Sequence, residues 1–157
     1  MSQFNLQHVV ESQQFDRNLL ELVFTTADMM KADLHGERKL AKFLDGKIMA
    51  SLFYEPSTRT RFSFESAMRR LGGEVITTEN AREFSSASKG ESLADSTRII
   101  NGYADVIVMR HNEAGSAVRA AEISRIPIIN AGDGAGQHPT QALLDVYTIA
   151  DSFPGMN

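Results

Sequence analysis

The sequence predicts an α/β fold, a doubly wound parallel sheet of about four strands with helices on both faces. Three observations lead there. Four short apolar runs, KIMASLF, EVIT, DVIVM and IPIIN, alternate with segments of helical periodicity. The runs are mostly apolar instead of alternating, which marks strands covered on both faces. The chain has 157 residues, enough for one domain with its own core.

Each element follows in order. In FDRNLLELVFTTADMMKAD, Leu19, Val23, Ala27 and Met30 recur at helical spacing and Asp16 is the expected N-cap. A shorter helical piece is expected near Arg38 to Phe43. After Gly46, KIMASLF has strand length. Thr58 to Leu71 reads as a helix stopped by Gly72-Gly73. Glu74 to Thr77 is a short strand, and a polar stretch runs from near Thr78 to Gly90. Glu91 to Asn101 is helical, Asp105 to Met109 a strand, and Gly115 to Arg125 helical. Ile126 to Asn130 is a strand opened by Pro127, and His138 to Asp151 is the last helix. Gln141, Asp145, Thr148 and Ser152 give that helix one narrow polar stripe. The rest of its circumference is apolar, so it is expected to be buried on several sides.

Composition narrows the function classes. Net charge is −4, against a general nucleic-acid binder. There is no cysteine, hence no disulfide framework and no thiolate chemistry, which is compatible with a reducing cytoplasm. MSQFNLQHVVESQQFD lacks the basic-then-apolar pattern of a signal peptide. No apolar run is long enough to span a membrane, and a cytoplasmic protein is expected. Four scattered histidines without carboxylate spacing predict no metal, and no cofactor is expected.

In an open parallel sheet, ligands bind beyond the carboxyl ends of the strands. STRTR follows the first strand, the polar stretch with Ser85 and Lys89 the second, Arg110-His111 ends the third, and GDGAGQHPTQ follows the fourth. In STRTR, Ser57 is the expected N-cap, and the first-turn N–H groups lack intrahelical partners. With the hydroxyls of Ser57, Thr58 and Thr60 and the Arg59 guanidinium they form a compact anion cradle. The alternative is a capped surface helix with solvated arginines. Arg61 can pair with Glu65 one turn on. Arg110 ends a buried strand and needs an anion, either a protein carboxylate or a ligand. His138 in QHPTQ can donate to a carbonyl oxygen or merely cap its own helix. Gln141, one turn on, can read an amide. GDGAG is not the GxGxxG spacing of a dinucleotide fingerprint, and no GxxxxGK is present. Phosphate recognition beside donors for a carbonyl suits direct attack of a nucleophile on a bound acyl phosphate.

FYEPSTRTRFSFESAMRRLGG, SKGESLAD, VMRH and GDGAGQHPTQALLD resemble the aspartate carbamoyltransferase catalytic chain, in the family's order and from about Gln14 onward. STRTR and HPTQ alone admit ornithine carbamoyltransferase; Lys89 in SKGES and the MRH ending favour the aspartate enzyme. The resemblance implies that Ser57, Thr58, Arg59 and Thr60 hold the phosphate of carbamoyl phosphate. Arg110 contacts its phosphate and carbonyl side, His138 with Thr60 the carbonyl oxygen, and Gln141 the carbamoyl amide. It implies a trimer in which Ser85 and Lys89 serve a neighbouring subunit's site, with regulatory chains among the partners it allows. The implied reaction is attack by the amine of L-aspartate, giving N-carbamoyl-aspartate and phosphate, in pyrimidine synthesis.

Family chains are roughly twice this length, with a second domain that binds the amino acid. Residues 1–151 are therefore expected to be the carbamoyl-phosphate-binding domain, and 152–157 the start of an inter-domain connection. This is the expectation for a truncated chain without full activity alone. The over-apolar last helix fits, because the family's chain returns to pack on this domain. A non-enzymatic assembly module is the alternative from another class, and retention of Arg59, Lys89, Arg110 and His138 together argues against it.

Overall fold

The computed structural model describes residues 5–79 and 90–153. Four parallel strands form its sheet: β1 (Ile48–Phe53), β2 (Glu74–Glu79), β3 (Val106–His111) and β4 (Ile128–Asp133), in the order β2-β1-β3-β4. The helices are α1 (Arg17–His35), α2 (Thr58–Arg70), α3 (Leu93–Ile100), α4 (Ser116–Ala121) and α5 (Pro139–Ser152). Short 3-10 turns lie at Ser12–Gln14 and Lys39–Lys42, the second within the helical piece expected there.

Strand side chains alternate between faces, and this divides the core. Met49, Phe53 and Val108 pack with Met68 of α2 on one face. Ala50, Leu52, Ile107 and Met109 pack with Ala117 and Ala120 of α4 on the other, and Leu93 and Ile100 of α3 join them. Both faces are thus covered by helices, as the apolar strands predict. The same alternation separates two consecutive residues at the end of β3. Arg110 reaches the cleft beside α2, and His111 lies against Tyr54 with ring centroids 4.8 Å apart.

After β1 the chain first builds β2 on one side, then crosses to β3 and β4 on the other. The switch point lies between β1 and β3, where doubly wound sheets open a crevice for ligands. The N-terminal segment was not foreseen as part of the sheet. Val9 N–H donates to Ile128 O (2.8 Å) and Asn130 N–H to Val9 O (2.8 Å), which covers the β4 edge.

Several boundaries differ from the expected ones. β2 runs on to Glu79 because Thr78 and Glu79 pair with Leu52 and Phe53. β3 runs on to His111, and Tyr54 N–H donates to Arg110 O (2.8 Å) beside it. β4 starts at Ile128, not Ile126: the Ile126 N–H is taken by Asn101 Oδ1 (3.1 Å) and Pro127 has no N–H. α4 stops at Ala121, short of Arg125, where Ser124 Oγ donates to Ile126 O (2.7 Å) and turns the chain. α3 starts at Leu93 because Ser92 caps it, accepting from Asp95 N–H (3.1 Å). Burial of α5 on several sides does not hold. Tyr147 packs edge-on to Phe24 of α1 at 5.3 Å, but Leu144 and Ile149 are 59% and 50% exposed. The sheet, α1 and the turn at Ser12–Gln14 contact α5 and leave Leu144 and Ile149 exposed.

Candidate active site at the carboxyl ends of the strands

Ser57 occupies the N-cap position of α2, and its carbonyl accepts the Arg61 N–H at 3.0 Å. Its hydroxyl makes no capping hydrogen bond, contrary to the sequence expectation. The φ of −158° and ψ of 85° turn the residue away from ordinary cap geometry. The hydroxyl and the first-turn N–H groups therefore remain available together. Thr58 and Arg59 are exposed, and Ser57 and Thr60 half-buried. All four line a cleft of about 1140 Å³ bounded by α1, α2 and α5. Arg110, His138 and Gln141 line the same cleft. Ser85 and Lys89 lie outside the described residues.

Arg110 is half-buried at the end of β3. Its Nη1 donates to Ala131 O (3.3 Å), and its Nε lies 3.6 Å from Glu55 Oε2. That separation is an ion pair but too long for a hydrogen bond. The Nε is fully buried and has no acceptor. Of the two sequence alternatives, the protein carboxylate is present as Glu55, and it leaves the Nε donor open. Glu55 offsets the charge while leaving a donor unsatisfied, a costly state that an incoming anion relieves.

His138 is the N-cap of α5. Its Nδ1 accepts the Gln141 N–H at 3.3 Å, with Thr140 Oγ1 at 3.4 Å. An accepting Nδ1 assigns the proton to Nε2, which is left to donate. Burial lowers the imidazole pKa from its ordinary value, and the positive charge of Arg110 lowers it further. The ring is therefore neutral near pH 7, and capping and donation are compatible roles of its two nitrogens. Gln141 Nε2 donates to Asp145 Oδ1 (2.9 Å), which leaves its Oε1 as an acceptor for an amide N–H.

Sequence reasoning missed Gly132. Its φ is +117°, and a Cβ there would come within 2.9 Å of Arg110 Nη1 and 3.3 Å of His138 Cδ2. The residue lets these two groups share one corner of the cleft. The glycine cluster is legible in the sequence, but the groups that approach Gly132 are brought there by β3 and α5.

Arg61 lies outside this set. It pairs with Glu79 at 3.1 Å and with Glu65 at 3.9 Å, and stands over the Phe62 ring at 5.2 Å. Glu65 also accepts from Ser51 Oγ (3.0 Å) and Thr77 Oγ1 (2.7 Å), so the group ties α2 to β1 and β2. Among the described residues no cluster of His, Asp and Glu could hold a metal ion.

A cradle for a tetrahedral anion thus adjoins a neutral N–H donor and an amide acceptor. The sequence model of the aspartate/ornithine carbamoyltransferase carbamoyl-P binding domain matches residues 7–151. The chain belongs to that family. It is 65% identical over 147 residues to the chloroplastic aspartate carbamoyltransferase 2 of Pisum sativum, covering 93% of this chain and 38% of that protein. The catalytic subunit of M. jannaschii aspartate transcarbamoylase superposes with a TM-score of 0.86 at 50% identity, covering 94% of this chain and 47% of that one. The Trypanosoma cruzi aspartate transcarbamoylase in complex with carbamoyl phosphate and aspartate gives 0.85 at 41% identity, over 92% and 47%. The chain thus spans about two-fifths to one-half of the length of these relatives. One expectation is overturned here. The pea relative is chloroplastic, as are those of Arabidopsis thaliana and Oryza sativa at 60% and 62% identity, which goes against the cytoplasmic expectation.

Proposed function

We propose that this chain is the carbamoyl-phosphate-binding half of an aspartate carbamoyltransferase, with residues 1–151 as that domain and 152–157 leading to an amino-acid-binding domain. One observation carries the reading. An anion cradle at the start of α2, an unsatisfied Arg110 Nε and a neutral His138 with its proton on Nε2 line a single cleft.

In this reading Ser57, Thr58, Arg59 and Thr60 hold the phosphate. Arg110 spans the phosphate and the carbonyl side. His138 Nε2–H donates to the carbonyl oxygen with Thr60 assisting, and Gln141 Oε1 accepts from the carbamoyl amide. The amine of L-aspartate attacks the carbamoyl carbon, forming the new C–N bond. Negative charge grows on the carbonyl oxygen, where Arg110 and His138 stabilise it. Collapse breaks the C–O bond to phosphate, and the amine proton passes to the departing phosphate. The products are N-carbamoyl-aspartate, an early intermediate of pyrimidine synthesis in this reading, and released phosphate. L-aspartate in preference to ornithine is supported by the names of the relatives and by the T. cruzi complex.

Calorimetric titration with carbamoyl phosphate tests the binding claim. Saturable binding is expected, weakened about 100-fold in Arg59→Ala; no heat in the unaltered chain contradicts it. Turnover of aspartate at a normal rate by residues 1–157 alone contradicts the division of labour. A homotrimer in which Ser85 and Lys89 complete a neighbour's site is part of the proposal, with regulatory chains as further partners. Mixing full-length Lys89→Ala and Arg59→Ala chains is then expected to restore part of the activity. Hybrids that form and stay inactive contradict it.

A further inference from the structure

Asp133 ends β4 with a carboxylate that is 2% exposed and forms no ion pair among the described residues. Its two oxygens are both committed to backbone donors. Oδ2 accepts the Gly115 N–H at 2.8 Å, and Oδ1 accepts the Gln137 N–H. The main chain closes the same turn: Asp133 N–H donates to Gln137 O (3.1 Å), and Gly136 N–H donates to Asp133 O (3.0 Å). A Cβ at Gly136 would stand 2.6 Å from Asp133 Oδ1, so this close approach requires glycine. The fully buried Asn130 adds Nδ2 bonds to Gln137 O (3.3 Å) and Val10 O (3.0 Å). The residue after Gln137 is His138.

A surface turn does not need a buried charge. Asn closes Asx turns as well as Asp, without the cost of desolvating a carboxylate. Two acceptors facing two N–H donors do need the carboxylate, because the NH2 group of Asn would oppose one of them.

We propose that Asp133 is a positioning residue for His138: it fixes the 133–137 turn between β4 and the start of α5 so that the imidazole leaves the turn with Nδ1 on the Gln141 N–H and Nε2 toward the cleft. The role rests on the carbonyl-reading task given to His138 above. The negative charge of Asp133 also opposes the lowering of the imidazole pKa by Arg110. This is a readout that a purely mechanical role would not move.

The test uses Asp133→Asn, with Gly136→Ala as a second lesion of the same hydrogen bonds. Ring ¹⁵N shifts of His138 report its tautomer and its titration without any ligand. In the unaltered chain they are expected to show the Nε2–H form. In Asp133→Asn they are expected to move toward a tautomer mixture, with the titration at lower pH. Affinity for inorganic phosphate should stay within about twofold, while the preference for carbamoyl phosphate over phosphate drops about tenfold, the cost of one misplaced neutral donor. A folded Asp133→Asn chain with unchanged His138 shifts and unchanged preference overturns the proposal. If that variant does not fold, the His138 shifts of Gly136→Ala decide in the same way. If the unaltered chain does not prefer carbamoyl phosphate over phosphate, the carbonyl-reading role fails, and the His138 shifts still decide whether Asp133 positions the ring.

Discussion

Arg59 and Arg61 sit in the first turn of one helix and do opposite work. They are separated by two residues, which places them on nearly opposite sides of α2. Arg59 is exposed on the cleft side and makes no ion pair among the described residues. Arg61 is about 15% exposed and is held by Glu79, Glu65 and the Phe62 ring. A helix N-terminus already carries partial positive charge, so each arginine is locally unfavourable there. The chain balances Arg61 with its own carboxylates and gives Arg59 none among the described residues, a place the proposed function assigns to a phosphate. In the proposed reading, the same residue type at the same helix end is structural on one side and ligand-binding on the other. The hydrogen bonds differ likewise: Ser51 and Thr77 donate to Glu65, the partner of Arg61, whereas the Ser57 hydroxyl makes no cap bond and its residue lines the cleft with Arg59.

The contrast is broken most strongly at Arg59. Arg59→Ala should weaken carbamoyl phosphate binding about 100-fold through lost charge-assisted hydrogen bonds. Its effect on stability should stay within about 0.5 kcal/mol, as for exposed positions generally. Calorimetry and urea unfolding check the two halves of that statement. Arg61→Ala should do the reverse. Leaving Glu65 and Glu79 without their partner should cost about 2 kcal/mol, less than for a fully buried pair because Glu79 is half-exposed. Tm should fall by about 5 °C, and binding measured well below it should change by less than about threefold. If Arg61→Ala instead abolishes binding in a folded chain, the division between the two arginines is wrong.

Acidification sharpens the contrast differently. His8 and His138 are both held below the ordinary histidine pKa, His8 by burial, His138 by burial and then Arg110. The unfolded chain therefore takes up protons before the folded one as pH falls. Stability should be full above the ordinary value and decline below it, until the lowered folded values are reached. A Tm series from about pH 7.5 to 5.5 checks this, and His138→Gln should flatten the decline. Rising stability on acidification over that range would contradict it. The smallest effect is at Ser57. An N-cap Ser→Ala change ordinarily costs about 1 kcal/mol. Here the hydroxyl makes no cap bond, so Ser57→Ala should cost under about 0.5 kcal/mol while phosphate affinity falls about threefold.

The apolar strand runs, the helix spacing around Leu19, Val23 and Ala27, and the motifs after each strand were legible in the sequence. They placed Ser57, Thr58, Arg59, Thr60, Arg110, His138 and Gln141 at one edge of the sheet, and all of these line one cleft. Strand ends were less legible. Thr78 and Glu79 are polar and read as loop, yet they pair with β1 because its partner residues extend that far. Pairing is a tertiary fact that local composition does not carry. Gly132 and Asp133 were illegible for a related reason. A glycine's meaning lies in what approaches it, and here that is Arg110 from a different strand. Asp133 reads as a turn residue until its two N–H partners, one of them eighteen residues back in sequence, are seen together. The exposure of α5 overturned a burial expectation that rested on one helix considered alone.

The account's central claim is that one anion with a carbonyl arm bridges the starts of α2 and α5. Backbone amide NMR during titration with carbamoyl phosphate tests this most directly. The claim predicts saturable shifts with one common midpoint at the amides of Ser57 to Arg61 and of His138 to Gln141, with inorganic phosphate moving the first group far more than the second. Shifts confined to one helix start, or identical patterns for carbamoyl phosphate and phosphate, would contradict it.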